Sequence, residues 1–201
     1  MCPFGPTVRK RYFDVARPLS TLNTGQQSSY LQKNAHLFNC YNPLMRILGI
    51  DPGYDRLGIA IIERPTKGKE SLLYSDCLQT SAKDSIYVRL QSIGTEIARL
   101  LKEFEPDALA IETLFITKNQ KTAMRVAEAR GILIYEALMH GATVHEYGPM
   151  EIKMAITGDG SSDKARMTKM VSLLIKIPQK KMIDDEYDAI AIALTAAARI
   201  R

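Results

Sequence analysis

Four carboxylates in three distant stretches carry the chemistry this 201-residue chain most directly suggests. Asp51 closes the apolar run Ile47-Leu48-Gly49-Ile50, and Glu112 closes a second, Ala108-Leu109-Ala110-Ile111. Asp185 and Asp188 stand at the start of a third apolar stretch. Three residues of helix turn about 300° and rise about 4.5 Å, so these last two acids share nearly one side. Carboxylates gathered at one point repel and resist ionisation unless a cation lies among them. A hard divalent ion is the natural occupant, and phosphodiester hydrolysis is the natural chemistry. Of two such ions, one would lower the pKa of a water and the other stabilise the leaving 3′ oxygen. Asp184 paired with Asp188 meets the geometry almost as well, which leaves the first helical ligand as either Asp184 or Asp185. First-turn acids are often mere dipole partners, and that role covers Asp184 and Glu186. It leaves Asp51 and Glu112 unexplained, since each follows a strand with no polar neighbour upstream. The main rival role for Asp51 is a structural hydrogen bond within the Asp51-Pro52-Gly53 turn. The chain has no Ser/His/Asp or Cys/His constellation, and His140 and His145 read as structural.

The elements that must position these acids are legible from Met45 onward. Residues 47–50, 57–63 and 71–78 read as strands joined by connections short enough for antiparallel hairpins. A helix over 84–104 carries the stripe Ile86, Leu90, Ile93, Ile97, Leu100, Leu101 and Phe104. The strand ending at Glu112 follows, then a helix over 119–139 with Ala123, Ala127 and Gly131 at four-residue spacing, suited to close approach by another backbone. Residues 144–147 read as a strand, and Pro149 opens a short helix that stops at Gly158. Ser161 or Ser162 is expected to cap the next helix, whose buried face is Met167, Met170, Val171 and Leu174. A last helix over 184–199 is Ala- and Ile-rich on most sides, as expected of one packed on a sheet. Hairpin strands followed by strand–helix–strand–helix describe an α/β fold: an RNase H-like mixed five-stranded sheet with helices on both faces.

Composition adds bounds. A single domain is the default at this length, and no run approaches a membrane span, so the chain reads as soluble. Cys2, Cys40 and Cys77 form no CxxC pair, which argues for a reducing compartment and against a zinc site. The net charge of +5 resides mostly in residues 1–44, where Arg9, Lys10, Arg11, Arg17 and Lys33 face only Asp14. That stretch is interrupted by prolines and reads as a disordered leader ahead of a domain over 45–201, with an organelle transit signal the lesser alternative. Basic residues cluster locally instead: Lys118, Lys121 and Arg125 after Glu112, and Lys153, Lys164, Arg166 and Lys169 around a glycine-rich turn.

GIDPG at 49–53, AIETLF at 110–115 and KNQKTAMRVAEARG at 118–131 are followed by Tyr147, Pro149, Lys153 and the GDGSSDK stretch ending at Lys164. DDEYDAIAIAL at 184–194 completes a series that resembles, in order, the RuvC-type Holliday junction resolvases. The resemblance covers essentially all of 45–201 and none of 1–44. It implies that Asp51, Glu112, Asp185 and Asp188 are the acidic catalytic, metal-holding residues. The implied enzyme is a cytoplasmic, homodimeric, Mg²⁺-dependent endonuclease with two ions per subunit and Mn²⁺ as a possible substitute. It would make paired symmetric nicks in four-way junction DNA during recombination and repair, alongside a branch-migration helicase complex. Phe115 then matches an aromatic at the junction centre, against a bland reading as core. Lys153 and Lys164 match positions that face DNA, and Lys118, Lys121 and Arg166 join them as candidate DNA contacts. Arg166 and the Tyr54-Asp55 loop depart from the family pattern. A less selective RNase H-type nuclease would keep the same acids, and a non-catalytic junction-binding module would not need them. An actin-like phosphotransferase needs a second lobe for which the chain is too short.

Overall fold

The computed structural model describes residues 44–114 and 120–200. The expected leader, except Leu44, lies outside the described residues. So do Phe115 and Lys118. The described elements run β1 (Leu44–Asp51), β2 (Arg56–Pro65), β3 (Ser71–Gln79), α1 (Ile86–Phe104) and β4 (Ala108–Glu112). They continue with α2 (Gln120–Met139), β5 (Thr143–Tyr147), α3 (Pro149–Thr157), α4 (Lys164–Leu174) and α5 (Asp184–Arg199). The sheet order is β3-β2-β1-β4-β5, with the β1–β2 and β2–β3 pairs antiparallel and the β1–β4 and β4–β5 pairs parallel. This is the mixed sheet expected of the RNase H-like class. The expected strand over 47–50 is longer at its start, because Leu44, Met45 and Arg46 pair with Pro65, Arg64 and Glu63.

Strand periodicity of two divides the core into layers. Leu48, Ile50, Leu57, Ile59, Ile61, Leu109 and Ile111 point to one face and pack under α1 and α2, meeting Ile93, Ile97, Leu101, Ala129 and Leu133. Ile47, Ala60, Ile62, Ala108 and Ala110 point to the other, beneath α3, α4 and α5. Small residues on this second face let α5 lie very close. A Cβ on Gly49 would overlap the Ala189 carbonyl oxygen and reach 2.7 Å from the Ala193 Cβ, and one on Gly58 would overlap the Asp185 carbonyl. Helix α5 is buried continuously from Ala189 to Ala197, which explains its apolar character on most sides.

Two local expectations need correction. Helix α4 is capped by Asp163, whose side chain accepts from the Arg166 N–H at 2.8 Å, and not by Ser161 or Ser162. The serine hydroxyls are engaged inside the preceding turn: Ser161 donates to Asp159, and Ser162 Oγ lies 2.6 Å from Thr157 Oγ1. On α4 itself, Met167 and Val171 are buried and Met170 half-buried, but Leu174 is exposed at the last turn. Among the described residues, no helix is long and apolar enough to cross a membrane.

Candidate active site

Asp51 is the last residue of β1 and shares the α5-facing side of the strand with Ile47 and Gly49. Glu112 ends β4 on the same side as Ala108 and Ala110. The parallel pairing of Ile50 with Ile111 therefore sets the two carboxylates side by side one step further on. The first turn of α5 enters this corner because Gly58, paired with Asp51 across the hairpin, leaves room for the Asp185 backbone. Asp51, Glu112 and Asp188 thus line one pocket at one end of the sheet, with Asp185 beside them.

The environment of this corner pushes the Asp51 carboxyl up from 3.8 to about 7. Burial is the largest cause, followed by the charges of Asp188, Glu112 and Asp185. Glu112 is shifted upward by burial and by Asp188. Asp188 is raised by burial, with Lys164 acting in the opposite direction. Asp185 is 20% exposed and is among the charges that raise Asp51, whereas Asp184 is 69% exposed and lies 3.3 Å from Lys164 Nζ.

A pocket of about 290 Å³ opens here, lined by Asp51, Glu112, Asp188, Lys153 and Lys164 with an apolar wall that includes Ile152 and Met167. Lys164 Nζ lies 3.2 Å from Asp188 and 3.3 Å from Asp184. Asp185 borders the group from outside the pocket lining, ion-paired with Arg56. Among the described residues, no three His, Cys, Asp or Glu side chains close into a ready-made metal cage. The donor set nevertheless suits a hard divalent ion. Magnesium keeps several waters and needs only one or two carboxylates, and burial with like charge already makes ionised Asp51 costly without a cation.

The corner is braced by residues that sequence reasoning did not single out. Buried Arg130 on α2 donates to the Glu112 carbonyl and pairs with Glu146 at 2.9 Å, fixing the end of β4. Buried Arg89 on α1 pairs with Asp55, donates to the Tyr54 carbonyl at 3.1 Å and stacks over the Tyr54 ring at 4.5 Å. The Tyr54-Asp55 loop is therefore anchored. Arg56 sits at the start of β2, where a cation beside the α5 acids has a clear purpose only once the helix is placed. No periodicity in the sequence marks any of these three arginines.

The basic candidates separate by what they touch. Lys153 and Lys164 line the pocket. Arg166 pairs with Asp159 at 3.0 Å and so ties down the Gly158-Asp159-Gly160 turn. Lys121 lies in the first turn of α2, with its side chain outside the described residues, as are Phe115 and Lys118. His140 Nδ1 contacts the Glu136 carbonyl at 2.8 Å and His145 Nε2 the Thr143 hydroxyl at 3.0 Å, both away from the acids.

Comparison with known proteins gives a consistent result. Residues 47–196 match the family model described as crossover junction endodeoxyribonuclease RuvC. A curated RuvC from Thermosipho melanesiensis is 43% identical over 157 residues, spanning 78% of this chain and 99% of its own. The RuvC of Brachyspira hyodysenteriae is 41% identical over 157 residues, spanning 78% and 96%. Among solved structures, T. thermophilus RuvC in complex with a Holliday junction substrate superposes with a TM-score of 0.71 at 32% identity, covering 76% of this chain and 93% of that one. The yeast mitochondrial Holliday junction resolvase Ydc2 shares the fold, with a TM-score of 0.59 at 13% identity over 85% and 84% of the two chains.

Proposed function

This chain belongs to the RuvC family of crossover junction endodeoxyribonucleases, and on that premise we propose that it resolves four-way DNA junctions by paired, symmetric, metal-dependent nicks. The observation that carries the reading is the corner itself. Asp51, Glu112 and Asp188 share one pocket with Lys153 and Lys164, and Asp185 stands beside it. In this reading Asp51, Glu112, Asp185 and Asp188 would hold Mg²⁺, two ions per subunit with Mn²⁺ as a substitute, which would supply water activation and charge stabilisation at the leaving 3′ oxygen.

The chain's own residues do the rest. Asp51, its carboxyl pushed up to about 7 by burial and by the neighbouring acids, is only partly ionised near neutral pH, which lessens the repulsion in the corner before a cation arrives. Lys164, paired with both Asp188 and Asp184, offsets one of their two charges in the meantime. Lys153 and Lys164 offer an incoming phosphate its counter-charge at the pocket mouth. The Ile152 and Met167 wall limits water on the α3–α4 side.

Pairing of the nicks requires two copies. Helix α2 supports this, exposing Met124, Tyr135, Leu138 and Met139 together with the small residues Ala127 and Gly131. Such a patch is unusual for a lone subunit. A dimer in sedimentation, converted to monomer by Leu138→Glu with loss of symmetric cutting, is the expected outcome. The reading includes cytoplasmic operation beside a branch-migration helicase complex, and a catalytic body over 45–201.

The deciding experiment compares end-labelled four-way junction, three-way junction and linear duplex, each with Mg²⁺ and with EDTA. Symmetric nicks confined to the four-way substrate with Mg²⁺ are expected, both from the full chain and from one starting at Met45. Equal cutting of linear duplex would indicate the less selective nuclease, and binding without nicking the non-catalytic module.

A further inference from the structure

Glu186 is an acid of the α5 first turn outside the proposed metal-holding set, and it is the most deeply buried of that turn, at 4% exposure. It points away from Asp51 toward the opposite flank of the helix, and three donors converge on it. Ser75 Oγ on β3 donates at 2.9 Å, Lys180 Nζ lies 2.7 Å away and the Ile183 N–H donates at 3.3 Å. Lys180 Nζ also donates to the Ser75 carbonyl at 2.8 Å, closing a triangle between strand, loop and helix. The Ile183 bond is the reach-back half of a capping box, but Ile183 has no side-chain acceptor for the other half. A cap alone would not require a buried carboxylate with two further partners.

The place of this triangle gives it a purpose. Ser75 pairs with Ala60, on the α5-facing side of the sheet, two positions from the Cys77–Gly58 pair against which the Asp185 carbonyl rests. The loop between α4 and α5 crosses β3 over a cavity of about 350 Å³ bordered by Ser75, Ile177, Pro178 and Lys180. Ile175, Ile177 and Met182 pack the loop on the core, and the polar bonds add a second tie between the loop, the start of α5 and the sheet. Glu186 immediately follows Asp185 and precedes Asp188 by two residues. Any slackening of its bonds would be felt at once by both acids.

We propose that Glu186, with Ser75 and Lys180, is a positioning clamp that sets Asp185 and Asp188 at the geometry the metal requires. This rests on the junction-resolving reading above. Outer partners that orient ligating groups are worth about 10- to 100-fold in metal affinity or activity.

The full chain is assayed as wild type, Ser75→Ala, Glu186→Gln, Glu186→Ala, Lys180→Met and the double variant Glu186→Gln/Lys180→Met. Three quantities are read: the Mg²⁺ concentration for half-maximal junction cutting, Mn²⁺ binding to DNA-free protein by calorimetry, and junction affinity in EDTA. Glu186→Ala is expected to raise the Mg²⁺ requirement about 10- to 100-fold and weaken Mn²⁺ binding in parallel, with junction affinity in EDTA unchanged. Ser75→Ala, which removes a single hydroxyl, is expected to show a smaller shift in the same direction. Lys180→Met strands a buried charge, so the double variant should recover part of its loss. The clamp is overturned if the variants, measured well below their melting temperatures, give Mg²⁺ and Mn²⁺ titrations that overlay wild type. That result would leave Glu186 a purely structural group. Failure of the wild type itself to cut the four-way junction would instead overturn the reading beneath it.

Discussion

The two faces of one sheet are built from different residues for different ends. Under α1 and α2 the strands present Leu48, Ile50, Ile59, Ile61, Leu109 and Ile111, large side chains that fill the space between layers. Under α5 they present Gly49, Gly58, Ala60, Ala108 and Ala110, and the helix backbone descends almost onto the strands. Both faces are dry, but only the second brings a helix close enough for its first-turn acids to meet acids at strand ends. The same alternation that points Ile50 and Ile111 into the first core points Asp51 and Glu112 at α5. Close approach places charge on charge, and stability is given up there in exchange for a site.

That contrast can be broken most forcefully at the acids. Glu112→Gln and Asp51→Asn should each lower junction cutting by at least about a thousand-fold while gel-shift affinity for the junction in EDTA persists. Retained cutting in both would remove the acid corner from the chemistry.

The cost of the corner should appear as pH dependence of stability without metal. Folded Asp51 holds its proton to about pH 7, whereas the unfolded chain releases it near 3.8. The native state therefore binds more protons across that window, and stability falls as pH rises through it. Burial shifts Glu112 and Asp188 in the same direction. The penalty is absent below the unfolded value and complete above the folded one. At about 1.4 kcal/mol per pH unit it is of order 4 kcal/mol for Asp51. In EDTA, Asp51→Asn should thus melt higher than wild type at pH 7.5 and equally at pH 4. A variant less stable than wild type at pH 7.5 would mean that Asp51 is chiefly structural.

Smaller changes sharpen the difference between the faces. Gly58→Ala forces a Cβ into the Asp185 carbonyl, so about 1–3 kcal/mol of stability should go, with about a hundred-fold of cutting. Ile61→Val on the other face should cost about 1 kcal/mol and leave cutting at moderate temperature unchanged. Equal effects on activity from the two substitutions would erase the distinction.

Much of this was legible in the chain. The bounds of α3 and α5 and the hairpins follow from apolar periodicity, Pro149 and Gly158, because those signals are local. The cap of α4 was not, since Ser161, Ser162 and Asp163 are all good caps and only the Asp159–Thr157 turn network decides which one is free. Arg130, Arg89 and Arg56 were illegible for a similar reason. Each is one basic residue among many until its partner from another element is beside it.

Types and order of groups were determined by the amino-acid string alone: which segments alternate, where acids interrupt apolar runs, and hence which acids are candidates for one site, with Asp184 and Asp185 left as alternatives. Tertiary structure alone decided that Asp185 faces Asp51 while Asp184 turns to solvent, that Lys164 stands against Asp188, and that Glu186 is sealed behind them with Ser75 and Lys180. Periodicity is a property of neighbours along the chain, whereas burial and charge partners depend on which distant surfaces meet, and at what separation.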